Sequence, residues 1–135
     1  MKLVEIVKGA ATADNTVHAL AELSRLVGKI PVICKDSPGF IVNRVARHFY
    51  TESLKIYEEQ VASFANIDTL LESAGFKMGP FKLMDTIGND INYKVTCSLY
   101  EAFHQEPRFR PSRIQQQLVQ SGRLGKKTGK GFYEY

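Results

Sequence analysis

KDSPGFIVNR, residues 35–44, separates two structural regimes. Ile30, Val32, Ile33 and Cys34 form an apolar, strand-like run just before it. Pro38 and Gly39 interrupt the chain, and a helical pattern then runs from 40 to about 60. Phe40, Ile41, Val45, Phe49, Leu54, Ile56 and Tyr57 recur at its spacing and are expected to be buried. Asn43 lies in the first helical turn, in apolar company. An amide at such a joint can hold a substrate oxygen while two domains close. It can equally bond to nearby backbone, a common role for asparagine near a helix start.

Toward the N-terminus, Leu3, Val4, Ile6 and Val7 place apolar residues on both faces, as in a buried parallel strand. Thr12 to Asn15 supply possible caps for a helix carrying Val17, Leu20, Ala21, Leu23, Leu26 and Val27, and Gly28 suits its end. Pro31 falls near the start of the second strand, where it is tolerated. The result is a strand–helix–strand unit. Two parallel strands leave unpaired edges and an uncovered face, so this segment is expected to end a larger sheet that begins before Met1.

Toward the C-terminus the pattern is all helical. Ser63 resembles an N-cap for a helix with Ile67, Leu70 and Leu71, closed by Gly75. Gly79-Pro80 predicts a turn into Phe81, Leu83 and Met84. Further helices are expected at 90–104 and at 113–120, the latter opened by Pro111-Ser112 and closed by Gly122. The glycine-rich tail reads as a loop with an extended end at 132–135.

A 135-residue chain with 44% hydrophobic residues has enough apolar material for a packed core. No apolar run approaches the roughly 20 residues of a membrane span, and no secretory signal opens the chain. Cys34 and Cys97 suit neither a zinc site nor a disulfide framework. Free thiols in a reducing cytoplasm are the expectation, with no metal. The net charge of +4 is concentrated in Arg108, Arg110, Arg113, Arg123, Lys126, Lys127 and Lys130. This group suits a solvated face, an acidic partner or cofactor phosphates. No recognition helix, zinc motif or aromatic RNA-binding pattern accompanies it, which argues against nucleic acid.

The segment DSPGFIVNR resembles the signature of the NAD-dependent 3-hydroxyacyl-CoA dehydrogenases, 3-hydroxybutyryl-CoA dehydrogenase-like and bacterial in type. MKLVEIVKG at 1–9, MGPFKLMDTIG at 78–88 and GKKTGKGFYEY at 125–135 resemble that family in the same order. A GxGxxG and the family's catalytic histidine, which lie upstream of the first block, are not in this sequence. The resemblance therefore implies a C-terminal portion of such an enzyme, not competent alone. The implied fold is mainly α: the last βαβ piece of a Rossmann-type NAD-binding domain at 1–36, then an all-α substrate-pocket and dimerisation domain at 37–135.

The resemblance also assigns roles. Glu5, otherwise a salt-bridged or edge glutamate, orients the catalytic histidine. Asn43 positions the 3-hydroxyl or 3-keto oxygen. Met78, Gly79, Pro80 and Phe81 border the acyl pocket, and a helix-connecting turn is their alternative reading. Lys127 contacts the dinucleotide NAD, although the 125–131 loop lacks P-loop spacing. His18, His48 and His104 do not match the catalytic position. Asn89, Asp90 and Asn92 resemble members acting on acyl-CoAs from aromatic-acid catabolism. The implied reaction converts 3-hydroxyacyl-CoA to 3-ketoacyl-CoA in fatty-acid or aromatic-acid catabolism, with a cytoplasmic homodimer and no membrane partner. The alternative is a non-catalytic helical dimerisation or interaction module of the same fold.

Overall fold

β1 (Leu3–Lys8) and β2 (Ile30–Lys35) pair in parallel in the computed structural model, which describes residues 1–135. Their register runs from Leu3↔Ile30 to Lys8↔Lys35, and α1 (Asp14–Leu26) connects them. These elements belong to the first of two units, Met1–Arg44, and the second is Val45–Tyr135.

In the first unit, Ile6, Val17 and Ala21 form a small core with Val4 against it. Only Ile6 of β1 is buried, and Leu3 is exposed. Leu20, Leu23 and Leu26 of α1 are exposed too, as are Ile30 and Ile33 of β2. The expected buried strand is therefore only half covered. A parallel sheet needs helices on both faces, and two strands with one helix cover one.

α2 (Val42–Glu58) begins two residues later than expected. Phe40 adopts φ 46°, a left-handed conformation that is costly for an aromatic residue and lies outside the helix. Phe40, Ile41 and Val45 are exposed, which corrects their expected burial. Further along α2, Leu54 is buried, and Phe49, Ile56 and Tyr57 pack beside it as partly buried residues.

The second unit contains the rest of α2, α3 (Phe64–Ser73), α4 (Pro80–Ile87), α5 (Asn89–Ala102) and α6 (Arg113–Gln120). Single 3-10 turns occur at Pro107–Phe109 and Lys126–Thr128. Ser63 and Ser112 cap α3 and α6, accepting from the amides of Asn66 at 3.2 Å and Gln115 at 3.4 Å. The expected turn after Gly79-Pro80 is instead the first turn of α4: Pro80 sits at its start, where the missing N–H costs nothing.

Tyr50, Leu54, Ile67, Phe81, Met84 and Phe132 form the core. Phe81 and Phe132 meet edge to face, their ring centroids 4.8 Å apart. Tyr57 and Phe64 extend this aromatic cluster. The tail thus contributes to the core through Phe132. Bridges between Gly125 and Lys130 and between Lys130 and Glu134 fold it back on itself.

Candidate active site

Glu5 reaches from β1 to the start of α2 within the first unit. Its Oε1 accepts from the amides of Ile41 at 2.7 Å and Val42 at 3.1 Å. Those N–H groups have no partner inside the helix, and a carboxylate there is favoured by the helix dipole. Oε2 accepts no hydrogen bond within the chain. Asn43 follows directly on α2 and is exposed, its side-chain amide without a partner in the chain. The local backbone bond, its alternative reading, does not form. One carboxylate oxygen and one amide thus stand ready beside a capped helix start.

Asp68, on α3, shapes the 78–81 segment in the second unit. Its Oδ1 accepts from the Phe81 amide at 2.9 Å, and its Oδ2 accepts from the Lys82 amide at 3.0 Å and the Tyr133 hydroxyl at 2.8 Å. This carboxylate is fully buried and caps α4 from another helix. A Cβ on Gly79 would overlap Asp68, so only glycine allows the approach. Glu72 accepts from the Gly79 amide at 3.0 Å and pairs with Lys82 at the same distance. The Lys82 ammonium and that amide hold the Glu72 carboxyl below its usual range. Pro80 and Phe81 are buried in the core, and Met78 is the half-buried side chain of this segment.

Asp85 is the second buried carboxylate, 1% exposed. It accepts from the amides of Phe132 at 3.0 Å and Tyr133 at 2.9 Å, from Asn89 Nδ2 at 2.7 Å and from the Tyr135 hydroxyl at 3.1 Å. These contacts pin the tail to α4. Lys127 pairs with Asp90 at 2.6 Å and holds that carboxyl below its usual range.

The basic residues near the C-terminus are largely engaged within the chain. Arg108 donates to His48 Nε2 at 2.8 Å, and Arg123 donates to the Gly131 carbonyl at 2.7 Å. Lys126 lies over the Tyr135 ring, and Lys130 pairs with Glu134 at 2.5 Å. His48 also stacks on Phe109; burial and then Arg108 lower its pKa. His18 and His104 are exposed.

A chain of buried polar groups joins α2, α5 and α6. Arg47 Nη1 donates to the Asn92 carbonyl at 2.9 Å and to Thr96 Oγ1 at 2.7 Å. Gln115 Nε2 donates to Asn92 Oδ1 at 3.1 Å. Asn89 and Asn92, noted in the sequence for a subfamily resemblance, thus lie inside the unit. Asp68, Asp85 and Arg47 were not identified as site residues from sequence. Their one local signal is a charged residue on or beside a helix's apolar stripe, a pattern that also occurs on solvated faces.

Residues 39–135 match the family profile described as 3-hydroxyacyl-CoA dehydrogenase, C-terminal domain, and residues 1–37 match the NAD binding domain of the same enzymes. The chain is 56% identical to the 3-hydroxyadipyl-CoA dehydrogenase of Escherichia coli, over 100% of this chain and 29% of that protein. It is 44% identical to the mitochondrial hydroxyacyl-coenzyme A dehydrogenase of Sus scrofa, over 100% of this chain and 43% of that one. A crystal structure of 3-hydroxybutyryl-CoA dehydrogenase from Escherichia coli superposes with a TM-score of 0.96 at 56% identity, covering 99% of this chain and 29% of that chain. The (S)-3-hydroxybutyryl-CoA dehydrogenase of Ralstonia eutropha gives 0.95 at 38% identity, covering 100% and 48%. The chain therefore spans less than half the length of each of these relatives.

Proposed function

We infer the function from the family to which this chain belongs, the 3-hydroxyacyl-CoA dehydrogenases. The chain contributes the C-terminal part of an oxidoreductase that converts a 3-hydroxyacyl-CoA to the 3-ketoacyl-CoA, with NAD as hydride acceptor. Residues 1–36 close the NAD-binding domain, and 37–135 form the substrate-pocket and dimerisation domain. The turn after β1 is not a glycine-rich phosphate cradle: the Gly9 amide donates to Thr12 Oγ1 at 3.2 Å, closing the turn on itself. NAD is held mainly by residues outside this chain, with Lys127 as the contact contributed here.

The carrying observation is the helix start at which Glu5 Oε1 is fixed by two amides beside the unpartnered Asn43. The Asn43 amide donates to the C3 oxygen and favours the charge that develops there during oxidation. Glu5 Oε2 accepts from a histidine outside these residues, fixing its tautomer and stabilising its protonated form after it removes the hydroxyl proton. Met78 and the buried frame of Gly79, Pro80 and Phe81 border the acyl chain.

The relatives' names differ in the far end of that chain: a 3-hydroxyadipyl group ends in a second carboxylate and a 3-hydroxybutyryl group in a methyl. Both fit the reading of fatty-acid or aromatic-acid catabolism. A cytoplasmic homodimer completes the proposal. Its support is an apolar groove of about 650 Å³ between α2 and α3, lined by Phe49, Ile56, Val61 and Leu70, of which Val61 and Leu70 are largely exposed.

The test is steady-state kinetics in the full-length enzyme. Asn43→Ala lowers kcat by roughly tenfold to a thousandfold. Glu5→Gln lowers kcat and moves the acidic limb of the pH profile to lower pH, because the base loses the anion that raises its pKa. Wild-type rates and pH profiles in both variants overturn these roles.

A further inference from the structure

A cavity of about 380 Å³ lies between α2, α3, α6 and the tail, wholly within the second unit. Its size is at the lower end of the ~300–1,000 Å³ typical of small-molecule sites. Glu5, Asn43 and Met78 do not line it. One wall comes from α6: Ile114, Gln117, Leu118 and Ser121 line the cavity, and their spacing of three and four residues puts them on one helical face. The rings of Tyr57, Phe64 and Phe132 supply an aromatic wall, with Phe64 and Phe132 centred 6.2 Å apart.

Arg123 is the one charged residue that lines this cavity. A guanidinium carries five N–H donors. Nη2 donates to the Gly131 carbonyl at 2.7 Å, and the group makes no other hydrogen bond within the chain. Nε is buried without a partner. None of the chain's ion pairs includes Arg123. Glu134, whose carboxylate senses this charge, is already paired with Lys130. The side-chain amide of Gln117, on the same cavity, also has no partner in the chain.

Unspent N–H groups and one uncompensated positive charge match a carboxylate, with its two acceptor oxygens and single negative charge. A phosphate dianion calls for a second cation, and none lines the cavity. The C-terminal end of α6 does not repel such an anion with bare carbonyls. Ser121, Arg123 and Gly122 donate their amides to the carbonyls of Gln117, Leu118 and Val119. From Ser121 back to Ile114 the helix rises about 10 Å. A straight-chain acid such as hexanoate spans most of that distance, and the walls beside its alkyl part are apolar.

We propose that this cavity is a second ligand site, separate from the dehydrogenase site, for a medium-chain monocarboxylate. The carboxylate binds Arg123, with Gln117 as an additional donor. The alkyl chain runs along Ile114 and Leu118 against the aromatic wall, and its burial supplies the apolar part of the affinity. Occupancy also steadies the tail. Phe132 packs on Phe81 with ring centroids 4.8 Å apart, and its amide donates to Asp85 at 3.0 Å.

The experiment is ligand-observed nuclear magnetic resonance with hexanoate and the full-length enzyme, with NAD and acetoacetyl-CoA present to occupy the dehydrogenase site. A Kd of roughly 0.1–1 mM is expected for so small a ligand. 1-Hexanol, which keeps the alkyl chain and lacks the charge, binds at least tenfold more weakly. Inorganic phosphate at equal concentration does not displace hexanoate. Arg123→Met weakens hexanoate at least tenfold and leaves hexanol unchanged. No binding of hexanoate, equal binding of hexanol, displacement by phosphate, or an unchanged hexanoate affinity in Arg123→Met overturns the proposal. Loss of hexanoate on adding acetoacetyl-CoA places it in the dehydrogenase site and overturns the proposal as well. The wild-type comparisons decide even if the variant does not fold.

Discussion

Replacing Asp68 tests whether the start of α4 is held from another helix. Asp68→Ala removes the acceptor of the Phe81 and Lys82 amides and of the Tyr133 hydroxyl, which lie 2.9, 3.0 and 2.8 Å from its oxygens. Hydrogen bonds to charged groups contribute about 1.5–3 kcal/mol each. The Phe81 amide is left buried with no substitute. The half-buried Lys82 and partly buried Tyr133 recover part of their loss from water. Removing the carboxylate also relieves its own desolvation, so the net loss is about 3–5 kcal/mol. Asp68→Asn keeps one carbonyl for Phe81 and turns an NH2 group toward the Lys82 amide, at about half that cost. Tyr133→Phe removes one bond and costs about 1 kcal/mol. Urea unfolding of the three variants followed by far-ultraviolet circular dichroism gives the order Ala, Asn, Phe. Amide exchange at Phe81 accelerates in the first two variants. A loss below 1 kcal/mol for Asp68→Ala, with unchanged exchange at Phe81, refutes the reasoning.

Gly131→Ala places a Cβ against the Asp85 carboxylate and forces it off its four donors. A stability loss of about 2–4 kcal/mol and easier proteolysis of the 125–135 tail are expected, and an unchanged melting temperature argues against the latch. Alkaline pH is expected to destabilise the chain. Burial and the neighbouring Asp68 raise the Tyr133 pKa above its ordinary 10.0, and burial and Asp85 raise that of Tyr135. Unfolded tyrosines release their protons first, so this stabilisation is intact below about pH 10 and is lost as pH rises through the raised values. Urea midpoints between pH 8 and 11 show the fall, which flattens in the Tyr133→Phe, Tyr135→Phe double variant; an equal slope in that variant contradicts the assignment.

Local sequence determined much of the architecture. The βαβ unit followed from apolar periodicity and Gly28, and the α6 boundaries from Ser112 and Gly122. Caps and breakers act over a few residues, so they are legible without the fold. The blocks around Glu5, Asn43 and Met78 carried the family, and its profiles match residues 1–37 and 39–135. Even locally there were limits. Phe40 reads as helical and buried, yet it is left-handed and exposed, because the distant Glu5 carboxylate caps the amides just after it.

Tertiary structure decided which polar residues are inside. In the sequence, Asp68, Asp85 and Arg47 look like charges beside a helix stripe. Only the fold brings Asp68 to amides 13 and 14 residues away and Asp85 to those 47 and 48 residues away. The same holds for Lys127, whose sequence suggests phosphate and whose neighbour in the fold is Asp90, 37 residues away. Periodicity reports which face of an element is apolar. Whether a charge on that element is solvated, paired or stranded depends on donors and acceptors supplied by distant segments, and a buried charge such as Arg47 becomes informative only when those partners can be counted.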